Sequence, residues 1–113
     1  MRAIPKSLLI HSARLLKKMK EDEWGEAKLS VGTALRCIRM EPSSKIVRDK
    51  NNSEVQLAAT MFYDCRNSKP RYISFVVDDI IVFNGQKFQI KVVEPLYDNR
   101  SLHHYELGLI MYG

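Results

Sequence analysis

Apolar and polar residues alternate with a period of two through much of this chain, most clearly from Ile80 to Pro95. Ile80, Ile81, Val82 and Phe83 form an apolar run, Asn84-Gly85 follows, and an alternating run continues beyond it. Asn-Gly between two such runs predicts a two-residue hairpin, because a type I′ turn needs positive φ at both central positions. Past the turn, Phe88, Ile90 and Val92 fall on one face and Lys87, Gln89 and Lys91 on the other. That is the pattern of a half-buried antiparallel strand. The hairpin, with Asn84 and Gly85 as its structural turn, reads as the middle of a small barrel or sandwich.

The other segments follow the same period. Thr33 to Met40 predicts a strand, although Arg36 and Arg39 fall on opposite faces, which a bulge would reconcile. Glu41-Pro42-Ser43-Ser44 stops it, since proline removes a ladder donor and restricts its predecessor. Val55, Leu57, Ala59, Met61 and Tyr63 share one face of a further strand, and Asp64 to Pro70 is turn chemistry. Ile73, Phe75 and Val77 begin a short strand that Asp78-Asp79 breaks. Pro95 to Ser101 turns again, and His103 to Met111 closes the chain with Tyr105, Leu107, Leu109 and Met111 inward. Residues 7–19 fit two elements equally. Leu8, Leu9, Leu15, Leu16 and Met19 make one helical face, while Leu8, Ile10 and Ser12 against Leu9, His11 and Ala13 make a strand. The expected class is all-β: a small antiparallel barrel or sandwich of six or seven strands with a long mid-chain loop.

At 113 residues the chain is expected to form a single domain, 1–113, with a core large enough to need no staples. With 45% hydrophobic and 27% charged residues it is not a disordered sequence. No apolar run approaches the ~20 residues of a membrane span, and Leu8-Leu9-Ile10 is too short for a signal peptide. Both point to a chain made and kept in a cytoplasm. There Cys37 and Cys65, which form no CxxC pair, are expected to be reduced thiols.

Catalytic constellations are missing: there is no GxxxxGK[ST], HExxH or GxSxG, so enzyme, metal and cofactor are all expected to be none. His103-His104 on a strand would send its rings to opposite faces, unable to share a metal. The formal charge of +5 is spread along the whole chain, which is first the mark of an ordinary solvated surface and secondly a positive field that favours a polyanion nearby. The stretch from Ser43 to Glu54 is the least core-like segment, and it carries Lys45, Arg48, Lys50, Asn51 and Asn52. As a connection between strands it exceeds the usual hairpin loop, and such loops are either plain solvent-facing links or sites of function. Diffuse charge plus one basic loop suits phosphate contact without sequence reading. Trp24, the sole tryptophan, either lids the core edge or anchors a subunit contact. Arg36 and Arg39 join it as candidate oligomer or partner contacts.

Several strings in order carry a resemblance. They are IPKSLLIHS, Trp24-Gly25, RMEPSSKIVRDKNN, FYDCRNSKP, DDIIVFNGQKFQI, and VEPLYD followed by LHHYELGL. Over nearly its whole length the chain resembles the minor capsid proteins of phages and prophages of Gram-positive bacteria. More distantly it is similar to the head-completion (stopper) and head–tail joining proteins of long-tailed phages. The resemblance favours a strand within residues 7–19. It implies a non-enzymatic barrel that self-associates into a ring at the virion neck after assembly in the host cytoplasm. Such a ring lies below the portal and its adaptor, carries the tail or its terminator, and surrounds packaged double-stranded DNA. The stretch Ser43 to Glu54 would then be the DNA-channel loop. The alternative is a small barrel that binds nucleic acid or a host factor directly.

Overall fold

The structure is a computed structural model that describes residues 2–21, 27–29, 32–99 and 101–112. Among the described residues ten strands run in order: β1 (His11–Leu16), β2 (Lys18–Glu21), β3 (Ala27–Leu29), β4 (Thr33–Pro42) and β5 (Ile46–Arg48). They continue with β6 (Glu54–Gln56), β7 (Ala59–Asp64), β8 (Ile80–Phe83), β9 (Gln86–Tyr97) and β10 (Leu102–Met111). Residues 7–19 therefore yield strands, and among the described residues no helix forms.

Six strands close a barrel in the order β1-β4-β7-β10-β9-β8, every neighbour antiparallel and β8 returning to β1. Closure leaves no free sheet edge among them. The interior is filled by the inward set of the alternation: Leu15, Leu35, Ile38, Met61, Ile81, Ile90, Leu107 and Leu109 are all 0–1% exposed. Each such side chain contributes about 1.5–3 kcal/mol on burial, which is what drives the barrel to close.

The Asn84-Gly85 turn has the expected geometry, with φ of 50° and 75°. The expected bulge is also present. Cys37 has a φ of 56°, and the β1–β4 register slips beside it, so that Leu35 and Ile38 both face inward. Other expectations are corrected by bulges that alternation does not reveal. The β9–β10 register shifts between Gly108 and Leu109, which turns Val92 to the outer face and gives the inward place to Val93. Met111, expected inward, is 51% exposed at the end of β10, still paired with Phe88 of β9 but past the last residue paired with β7.

The expected strand at Ile73 to Val77 does not form, because β8 already pairs with both β1 and β9 and no edge remains to accept it. The segment instead crosses the barrel's end with Phe75 as a plug, its ring edge-on to Tyr63 at 5.0 Å and Tyr105 at 5.4 Å. The long strand expected from Val55 is broken: β6 leaves the barrel, and only from Ala59 does the chain line the core.

Two hairpins lie outside the barrel, β2–β3 and β5–β6. They leave from opposite ends. The strand β4 runs from the end where β3 hands over to it, to the end where β5–β6 departs. The Asn84-Gly85 turn shares the β5–β6 end, while β7 finishes and β10 starts at the other. Trp24 lies outside the described residues.

Candidate functional site

The segment read from sequence as a long loop is a hairpin, here called the arm. In it Ile46, Val47 and Arg48 pair with Gln56, Val55 and Glu54. Its tip is built by Asp49, whose Oδ1 accepts the N–H groups of Asn51 and Ser53, both at 2.9 Å. That turn chemistry is why a polar stretch orders here.

The arm does not project freely. At its base Leu57 is buried against Gly108 of the outer wall, where only a missing side chain leaves it room. At its tip Lys50 donates to Asp78 Oδ2 at 2.9 Å. Asp78 also meets Lys91 at 3.5 Å and accepts from Gln89 at 3.1 Å, and it sits at a φ of 79°. Neighbouring Asp79 takes Lys17 at 3.0 Å.

The hydrogen bond from Lys50, helped by the charges of Lys50 and Lys91 against some desolvation, holds the Asp78 carboxyl below its ordinary value. A depressed folded pKa gives stability that is present above the unfolded value of about 3.9 and lost as pH falls through the lower folded one. The arm tip is thus expected to stay pinned from neutral pH to below pH ~4 and to release only in stronger acid. A carboxyl titration by NMR, followed with amide exchange in the arm, checks this. Release at pH 5 would contradict it.

The five expected DNA-channel residues differ in what already engages them. Arg48 donates to Asn52 O at 2.9 Å and pairs with Glu54 at 3.6 Å, and Lys50 is held by Asp78. Lys45, Asn51 and Asn52 are exposed, and among the described residues no carboxylate pairs with Lys45. The arm therefore presents three cations interleaved with Asp49 and Glu54. Arg36 is exposed on β4, while Arg39 is half-buried between Glu41 at 3.1 Å and the Leu8 carbonyl at 3.3 Å.

A second cation cluster, outside the expected contact residues, lies on the β7–β8 connection. The run Cys65 to Tyr72 (CRNSKPRY) holds Arg66, Lys69 and Arg71 with no carboxylate in it, a signal that was legible in the sequence. None of the three is within ion-pair distance of a carboxylate among the described residues. Arg36 joins them, since its backbone pairs with Lys69 in both directions, at 2.9 and 3.0 Å.

The base of that connection is a buried Asp64. Its Oδ1 accepts from Ile4 N at 2.9 Å, and its Oδ2 from Arg66 N at 3.0 Å and Asn67 N at 2.8 Å. Asn67 returns a bond to Ile4 O at 2.7 Å, and His103 Nε2 meets the Arg2 carbonyl. The N-terminal segment is thereby threaded onto the wall.

His103 and His104 correct the expectation of opposed rings. Their Nδ1 atoms lie 2.7 Å apart and the rings meet edge-on, because the β9–β10 register slips between Leu102 and His104. His104 Nε2 lies 3.0 Å from Glu106. Among the described residues no group of three or more His, Cys, Asp or Glu is placed to hold a metal. Burial, and then the charge of Asp64, push the Cys65 thiol up, the opposite of what a nucleophile needs.

Closed barrel, folded arm and threaded N-terminus together span the chain from Arg2 to Tyr112, and a single family model covers almost the same extent. Described as minor capsid protein, it matches residues 5–109. The chain belongs to the minor capsid protein family. No curated protein matches it. As a family member it is a structural component of a phage virion. Family membership also gives the strings IPKSLLIHS, FYDCRNSKP and LHHYELGL a common physical sense. They meet where Asp64, Asn67 and His103 hold the backbone of Arg2 and Ile4.

Proposed function

We propose that this minor capsid protein is a head-completion or head–tail connector subunit of the phage neck. It forms a ring below the portal and its adaptor, closes the DNA channel, and offers the docking surface for the tail or its terminator. The observation that carries the reading is a virion structural protein built as a closed barrel from whose two ends separate hairpins leave, one of them folded back on the wall. Such a subunit has one end for each neighbouring ring and a wall for its own copies.

The molecule measures 47 × 30 × 27 Å, so each lone contact is small, and a preformed portal ring would template closure. Closing the ring needs a head-to-tail interface, for which Trp24, Arg36 and Arg39 are the proposed contacts. In the channel, Lys45, Arg48, Lys50, Asn51 and Asn52 would touch packaged double-stranded DNA without reading its sequence. Few charges per subunit, repeated around a ring, restrain the polyanion without locking it, and the contact weakens with salt. The protein would act without catalysis or cofactor, at the virion neck, after assembly in the host cytoplasm.

The test is electron microscopy of particles from a phage lacking this gene. Abundant tailless heads emptied of DNA are the expected result, and full heads without tails would move the subunit one position down the neck. Normal tailed virions would overturn the reading. Neutralising Lys45, Arg48 and Lys50 together should leave the barrel folded while impairing DNA retention; loss of the folded barrel would refute that division of roles.

A further inference from the structure

The end of the barrel opposite the arm carries a concavity of about 340 Å³ between the start of β10 and the β7–β8 connection. Arg66, Arg71, Tyr72 and Tyr105 shape it, with Phe75 closing the core behind Tyr105. Two properties set this concavity apart. Tyr72 is 94% exposed at a φ of 60°, a conformation that is strained for a bulky residue and that holds the ring out in water. Arg71 sits over that ring at 5.2 Å. Tyrosine and arginine together, at a concave site, are the composition of a binding hot spot.

The second property is charge. Arg66 and Arg71 belong to the run with three cations and no carboxylate, and no internal acid answers them among the described residues. The complement exists elsewhere in the same sequence. Residues 21–26 read EDEWGE, placing Glu21, Asp22, Glu23 and Glu26 around the sole tryptophan, and no other stretch is so acidic. That stretch joins β2 to β3, and the hairpin leaves the barrel at the same end as the concavity. In a ring of copies with parallel axes, the paired strands β2 and β3 of one subunit would leave its barrel at the level of the neighbour's concavity.

We propose that the Arg66–Arg71–Tyr72 concavity receives the acidic stretch 21–26 of a second copy, so that one subunit donates the hairpin and the next accepts it. The contact is heterologous and can therefore close a ring. Carboxylates would meet the guanidiniums, and an indole beside Tyr72 would supply apolar area. The inference rests on the ring reading above, but its first test does not depend on phage assembly.

That test titrates the isotope-labelled full chain with the blocked hexapeptide EDEWGE and follows backbone NMR shifts. Saturable, salt-sensitive shifts centred on Arg66, Arg71 and Tyr72 are expected, with affinity at least tenfold weaker for R66E/R71E. Shifts elsewhere, or equal affinity in that variant, would overturn the proposal. So would a short DNA duplex that binds the same residues and displaces the peptide, because the site would then be a phosphate contact. In the phage, R66E/R71E should block completed particles, and adding E21K/E23K to the same gene should restore them. If deleting the gene leaves virions normal, the neck reading falls while the peptide result stands by itself.

Discussion

Asp64→Ala is expected to cost about 3–5 kcal/mol, since three part-buried N–H donors lose the one buried carboxylate they share and each costs about 1–3 when left unmade. The loss is large against a total stability of about 5–15 kcal/mol. It should lower the melting temperature by roughly 10–20 °C. The damage is not confined to one turn. Ile4 loses the carboxylate that receives its N–H, and the turn loses the acceptor of the Arg66 and Asn67 N–H groups, while the backbone bonds of residue 64 with Ser68 remain. The N-terminal segment and the β7–β8 connection should therefore loosen together. Asp64→Asn keeps the shape but turns one acceptor into a donor, and it should cost about half as much. Chemical denaturation of both variants, with amide exchange at Ile4, measures this. An unchanged melting temperature for Asp64→Ala would show that the buried carboxylate does not hold the N-terminus.

Gly108→Val addresses the arm. A Cβ at Gly108 would lie 3.1 Å from both Leu57 methyls and 3.4 Å from the Val92 Cβ, before its own methyls are counted. The wall cannot retreat, because Gly108 is paired on both sides, with Thr60 and Val92. The arm must move instead. Leu57 then gives up its burial, about 1.5–3 kcal/mol, and Lys50 loses its aim at Asp78. Valine suits a strand better than glycine by up to ~1 kcal/mol, so global stability should fall by only about 1–2 kcal/mol. Amide protection across Ile46 to Gln56 should drop by tenfold or more, which hydrogen exchange resolves. Full protection of the arm in Gly108→Val would mean that Leu57 does not anchor it. Because the arm carries the proposed DNA contacts, the same variant also tests whether they must be held in place.

How much was legible in advance varies from strand to strand. The Asn84-Gly85 hairpin was legible because both the turn and its flanks are local signals. The β4 bulge was legible because Arg36 and Arg39 could not otherwise both avoid the core. Val92 and the His103-His104 pair were misplaced for one reason. A bulge adds a residue to one strand only, and its position depends on the partner's register, which lies in another part of the chain. For the candidate site, the cations themselves could be read, but not their company. Arg48 and Lys50 are held by Glu54 and by Asp78, the latter 28 residues away, while the run around Arg66 and Arg71 contains no acid.

By itself the sequence determined the all-β class, five of the six barrel strands and the principal turn, since alternation and turn chemistry act over a few residues. The tertiary structure alone decided that the sheet closes, that Ile73 to Val77 becomes a plug, and that the arm folds back on Gly108. Those outcomes follow from which edges remain unpaired and where a side chain is missing, properties of surfaces that form only when distant strands meet.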